Sequence, residues 1–142
     1  MLIKDFAEKD RRALTEALLT GNTAAFEETH APDLITHIPP FPDAKGIEAY
    51  KQFVADMRKA FTGLRMDWDE MVVEGNTIAH RFTLHMKHTG HYPAIPVPPE
   101  GKEVVIKGSV FLHVKDGKIV EAFQYGDWLG MFQQLGIVQP TG

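Results

Sequence analysis

The chain carries seven histidines and no cysteine. Histidine is the side chain best suited to acid, base or ligand chemistry near neutral pH. The lack of cysteine excludes disulfides, thiolate nucleophiles, iron–sulfur clusters and cysteine-ligated zinc together. His85, His88 and His91 stand three residues apart, as metal ligands often do. On a strand, however, residues three apart point to opposite faces, so His85 and His88 diverge. Only His88 and His91 can meet, if Thr89-Gly90 bends the chain, and a third ligand such as Asp127 or His37 would still be needed. No metal or cofactor is expected. His88 shares strand parity with Phe82, Leu84 and Met86, which makes it either a core histidine or a pocket group. His37 lies in the proline-rich stretch Thr36-His37-Ile38-Pro39-Pro40-Phe41-Pro42, read as a loop, and either points into a pocket or lies at the surface. His30, His80, His85 and His113 read as surface or packing residues.

Asp127 has aromatic and apolar neighbours on both sides: Phe123 and Tyr125 before it, and Trp128, Leu129, Met131 and Phe132 after it. A desolvated carboxylate there would have a raised pKa and could serve as general acid or base. The other reading is a cap on a helix starting at Trp128, and the two roles are compatible. Tyr125, Trp128, Trp68, Phe53 and Phe41 are the expected substrate-binding walls, although aromatic residues are more often core.

The elements that must position these groups follow from periodicity. Apolar residues at helical spacing give one helix between Asp5 and Thr20, stopped by Gly21-Asn22, and a short second helix ending before Pro32. Ile47, Tyr50, Phe53, Val54, Met57, Ala60 and Phe61 make a third, longer helix. The period changes to two from Arg65, with a hairpin turn at Glu74-Gly75-Asn76 and a return strand carrying Ile78, His80, Phe82, Leu84, Met86 and His88 on one face. Thr89 to Gly101 reads as a loop, and Val104 to Val114 and Ile119 to Asp127 as strands joined at Lys115-Asp116-Gly117-Lys118. A short element from Trp128 to Leu135 closes the chain. Lone Gly108 reads as a bulge or a bend in a curved sheet. Helices ahead of antiparallel strands make an α+β pattern, a strongly curved sheet wrapped on the helices around a pocket suited to a small molecule.

Length and composition bound the rest. At 142 residues one domain, 1–142, is expected, with 44% hydrophobic and 24% charged residues in the ordinary globular range. Fifteen basic against nineteen acidic side chains give a net charge of -4, the wrong sign for a protein held to nucleic-acid phosphates. The N-terminus shows neither signal-peptide features nor a membrane-spanning run, so a cytoplasmic protein without a membrane partner is expected. No Gly-x-Ser-x-Gly elbow, phosphate-binding loop or dinucleotide fingerprint occurs.

Four stretches, together with the order of elements, resemble the SnoaL-like polyketide cyclases of the nuclear transport factor 2-like superfamily. They are His88-Thr89-Gly90-His91-Tyr92, Pro98-Pro99-Glu100-Gly101-Lys102, Asp116-Gly117-Lys118-Ile119-Val120-Glu121, and Asp127-Trp128-Leu129-Gly130-Met131-Phe132-Gln133-Gln134-Leu135-Gly136. The likeness runs from about Phe6 to Gly136. It implies a cone-shaped α+β fold, a homodimer, and ring closure by intramolecular aldol condensation without a metal. It also implies Asp127 as the general acid/base, with His88, from the family's Gly-Thr-His-x-Gly motif, and His37, a loop histidine before a proline, beside it. The chain departs from the family pattern with Met86-Lys87 in place of Gly-Thr, His91 in place of an acid, Glu100 in place of threonine, and Thr62-Gly63 in place of Pro-Asp. The sheet face opposite the pocket, with Arg81 and His85, is the expected pairing surface.

The residues fit such chemistry on their own terms. A proton on a carbon between two carbonyls is already acidic, so one desolvated carboxylate can remove it while neutral donors hold the enolate oxygen. The expectation is a cofactor-independent cyclase, lyase or isomerase acting on a small hydrophobic polyketide-like or other ring compound. The alternatives are a non-enzymatic binding protein for such a compound, or a hydrolase of the same fold.

Overall fold

The computed structural model describes residues 2–139. Helix α1 (Ile3–Thr20) buries Phe6, Ala7, Asp10, Ala13, Ala17 and Leu18 along one stripe, and ends where Gly21, at φ 83°, donates its N–H to the Ala17 carbonyl. A single turn, α2 (Phe26–Thr29), leads into strand β1 (His30–His37). After the two-residue β2 (Ala44–Lys45), helix α3 (Ile47–Ala60) buries Ile47, Tyr50, Val54, Met57 and Ala60 against the sheet. Four long strands follow, β3 (Phe61–Glu74), β4 (Thr77–His88), β5 (Glu103–Lys115) and β6 (Lys118–Gly126), and then helix α4 (Trp128–Gln134).

The six strands form one sheet in the order β2-β1-β6-β5-β4-β3. Every pairing is antiparallel except β1 with β6, which run parallel, so the sheet is mixed rather than wholly antiparallel. The residues from His30 to His37 form a strand where the prolines suggest a helix end followed by a loop. Pro32 is accommodated because the β1–β6 register is interrupted between His30 and Ile35, where its missing N–H leaves no ladder bond unmade. Gly108 is not a bulge: it pairs in register with Phe82. A Cβ on Gly108 would come within 2.8 Å of the Phe82 ring, so the glycine makes room for that ring on the sheet's inner face.

The Thr89-Gly90 turn fastens the β4–β5 loop to the end of α3. Both of its amides donate to the Ala60 carbonyl, at 3.0 and 2.9 Å, and a Cβ on Gly90 would collide with the Lys59 carbonyl oxygen. With α1 and α3 laid across the concave face, the core lies between helices and sheet, and that interior is where a site can be built.

Candidate active site

Two neighbouring spaces occupy the interior. A channel of about 50 Å³ is walled by Phe53, Val54 and Met57 of α3, Met66 of β3, Phe82 and Leu84 of β4, Ile106 of β5, and Gln124, Gly126 and Trp128 at the end of β6. Deeper in lies a chamber of about 40 Å³ bordered by Asp10, His30, Thr36, Trp68, His80 and Gln124. Leu14, Tyr50, Met66, Phe82 and Gln124 line both, so the two share walls. Both are mainly apolar, and the chamber adds Asp10, His30, Thr36 and His80 to its lining.

The aromatic walls expected from sequence divide between inside and outside. Phe53 and Trp128 line the channel, and Trp68 lines the chamber. Trp68 is held by its indole N–H donating to the Thr15 hydroxyl at 3.1 Å and by the Arg11 guanidinium 5.3 Å from its ring centroid. Phe41 packs edge-on against Trp128, 4.9 Å between centroids, and backs the channel wall rather than forming it. Tyr125 points the other way, to the outer face of the sheet, where it is 49% exposed.

Asp127 stands between Gly126 and Trp128, both channel walls. Its carboxylate is at the surface rather than desolvated and caps α4, with Oδ1 accepting the Gly130 N–H at 2.8 Å. The capping reading therefore holds; the side chain is not among those lining the channel, although its two sequence neighbours are. His88 is buried at the end of β4, two inward-facing positions beyond Leu84 where the channel wall stops. Its ring packs 5.6 Å from that of Phe61, and its Nε2 has no hydrogen-bond partner among the described residues. His37 does not face the interior. Strand parity turns Thr36 inward and His37 outward, where its ring stacks on Phe123 at 4.7 Å. There Nε2 meets Glu121 at 2.7 Å and Nδ1 meets Asp43 at 3.0 Å, and the Glu121 and Asp43 hydrogen bonds raise its pKa. The structure thus brings neither histidine to Asp127. His85 lies outside, 2.9 Å from Asp67, opposite in facing to His88, as strand parity predicts.

Three groups given no chemical role from sequence lie at the centre of the chamber. Asp10, His30 and His80 are 6%, 4% and 2% exposed, and His30 Nε2 lies 3.7 Å from Asp10 Oδ1. Burial pushes Asp10 up to about 7, and burial likewise lowers His30 and His80 to about 4. Near neutral pH both rings are neutral, and Asp10 titrates there. The sequence does carry the signal. Asp10 falls on the apolar stripe of α1 with Phe6, Ala13 and Ala17, and His80 has the parity of Ile78 and Phe82.

A family model described as SnoaL-like polyketide cyclase matches residues 9–135. No curated protein matches the sequence at a significant level. Among solved structures, a protein from Jannaschia Sp. CCS1 described as a SnoaL-like polyketide cyclase superposes with a TM-score of 0.83 at 21% identity, over 97% of this chain and 94% of that one. TsrD from Streptomyces laurentii gives 0.85 at 20%, over 97% and 100%. IdmH from Streptomyces antibioticus, described as a polyketide cyclase, gives 0.76 at 24%, over 96% and 99%. At these identities the likeness shows the fold, the nuclear transport factor 2-like α+β cone that the sequence leads one to expect.

Proposed function

The chain belongs to the SnoaL-like polyketide cyclase family, and we propose that it is a cofactor-independent enzyme of the cyclase type, acting on a small ring-forming carbon acid bound in the apolar channel, with Asp127 as general acid/base. The observation that supports this reading is the place of Asp127 in the chain, between Gly126 and Trp128, two residues of the channel lining. One carboxylate oxygen is fixed by Gly130, which aims the group without consuming its second oxygen.

In the reaction the carboxylate takes a proton from the carbon between two carbonyls. The resulting enolate attacks a second carbonyl carbon of the same molecule, forming a carbon–carbon bond, and the protonated Asp127 returns its proton to the new alkoxide. Atoms balance without any co-reactant. Phe53, Trp128 and the adaptable Met57 and Met66 hold the folded chain of the substrate. His37, turned to the outer face, has no part in this reading. His88 is a positioning residue, linked to Trp128 through ring contacts from Phe61 to Tyr92 to Phe41. Incubation with linear aromatic poly-β-ketones tests the proposal. A ring product isomeric with the substrate, or lighter by one water, should form with the wild type and not with Asp127→Asn, and equal turnover by the two would refute it.

We also infer pairing of two copies through the outer face of the sheet. The support lies one and two strands beyond the expected residues. Arg81 is occupied by Glu70 at 3.3 Å and His85 by Asp67, whereas Phe111 on β5, 43% exposed, and Tyr125 on β6 leave apolar surface in the open.

A further inference from the structure

Buried polar groups in folded proteins nearly always have partners, and each exception calls for an explanation. The chamber concentrates such exceptions. Asp10 Oδ1, the Thr36 hydroxyl and both ring nitrogens of His80 are buried without a hydrogen-bond partner among the described residues. His30 has one secure contact, Nδ1 to the Thr29 hydroxyl at 2.8 Å, and its Nε2 stops 3.7 Å short of Asp10, too far for a hydrogen bond. These groups come from α1, β1 and β4, three separate elements, and all border one cavity. A chain selected for packing alone would place apolar side chains here, since an unmade buried hydrogen bond costs about 1–3 kcal/mol.

We propose that the chamber is the polar half of the binding site and takes an oxygen function, a carbonyl or hydroxyl, of a compact ring ligand whose apolar body fills the channel. This rests on the reading of the channel as a ring-binding space and adds what the ligand must carry. Asp10 in its protonated form donates to such an oxygen. A neutral His80 accepts from a hydroxyl or donates to a carbonyl, and the Thr36 hydroxyl does either. Tyr50, whose phenol is pushed up by burial and then by the Asp10 charge, stays a neutral wall of both spaces. At about 40 Å³ the chamber admits a few water-sized groups. The site therefore selects one polar head on one compact body. It also gives the enolate of the proposed reaction a set of neutral donors remote from the charge of Asp127.

The test is a ¹⁹F NMR titration of the full chain with two matched probes, 4-fluorophenol and fluorobenzene. The wild type should bind the phenol at least about 10-fold more tightly, a difference of about 1.4 kcal/mol, and the phenol alone should shift the ring ¹H–¹⁵N signals of His80. Thr36→Val, which keeps the side-chain shape, and His80→Phe should each reduce that preference severalfold, and Asp10→Leu should abolish it. Equal affinity for the two probes, or a preference untouched by Thr36→Val and His80→Phe, overturns the proposal while leaving a ring-binding channel. Binding of neither probe overturns the channel reading and the chamber with it.

Discussion

The carboxylate of Asp127 closes over Gly130. Oδ1 accepts the Gly130 N–H at 2.8 Å, and a Cβ on Gly130 would lie 2.3 Å from Oδ2. The helix cap and the proposed acid/base are thus one group in one geometry, and the glycine three residues on is what permits it. Gly130→Ala should improve the intrinsic helix propensity of α4 and yet displace the carboxylate. Loss of turnover without gain in stability, read by calorimetry alongside product formation, is the expected result.

Capping and catalysis separate at Asp127 itself. Asparagine keeps an acceptor oxygen for the Gly130 amide, so Asp127→Asn should leave the unfolding free energy within about 0.5 kcal/mol and lower turnover about 10²–10⁴-fold. Asp127→Ala should lose activity and also about 1 kcal/mol of stability. If the two variants behaved alike in both measurements, the cap would be immaterial.

The chamber makes stability depend on pH with a definite sign. His30 and His80 have folded pKa values of about 4 against 6.5 unfolded, so between those limits the unfolded chain binds two more protons and stability rises with pH. Asp10, raised from 3.8 to about 7, acts oppositely: the folded chain keeps its proton, and stability falls as pH rises through that range. The net expectation from pH 4.5 to 6.5 is a gain that is steepest near mid-window, where it approaches one proton or about 1.4 kcal/mol per pH unit, and that flattens toward pH 6.5. Asp10→Asn should steepen the slope toward two protons and His80→Phe should flatten it. Arg11 near His80, and Lys118 near His30, lower those pKa values further. Urea unfolding at four pH values gives the slopes.

The outer face carries its own prediction. Phe111→Glu should leave α-proton chemistry unchanged in the monomer and convert a sedimenting dimer to a monomer at micromolar concentration. A monomeric wild type would remove the pairing inference.

Much of this was legible in the sequence because period and parity are strong signals. The long helix from Ile47, the hairpin at Gly75 and the inward set from Ile78 to His88 stand nearly where the pattern puts them. The strand from His30 to His37 was not legible, because Pro32 is a local signal against it and its partner β6 lies some 85 residues on, beyond any sequence window. That strand decides the site, since it turns Thr36 inward and His37 outward. The chamber was half visible: a charged residue on the stripe of α1 and a histidine at apolar parity in β4 mark buried polar positions, but their meeting depends on how the sheet curls over the helices. Asp127 read as desolvated from its apolar neighbours, yet Trp128 and Met131 turn inward while Tyr125, Leu129 and the Asp127 carboxylate itself are exposed.

The central claim is carbon–acid chemistry by Asp127 at the channel, and α-proton exchange tests it without knowledge of the natural substrate. In D₂O, ¹H NMR would follow deuterium incorporation into 2-tetralone, a compact ring ketone, in the presence of wild type and of Asp127→Asn. The account predicts saturable acceleration by the wild type and its loss, by about 10² or more, in the variant. Exchange no faster than in buffer, or equally fast with both proteins, would contradict it.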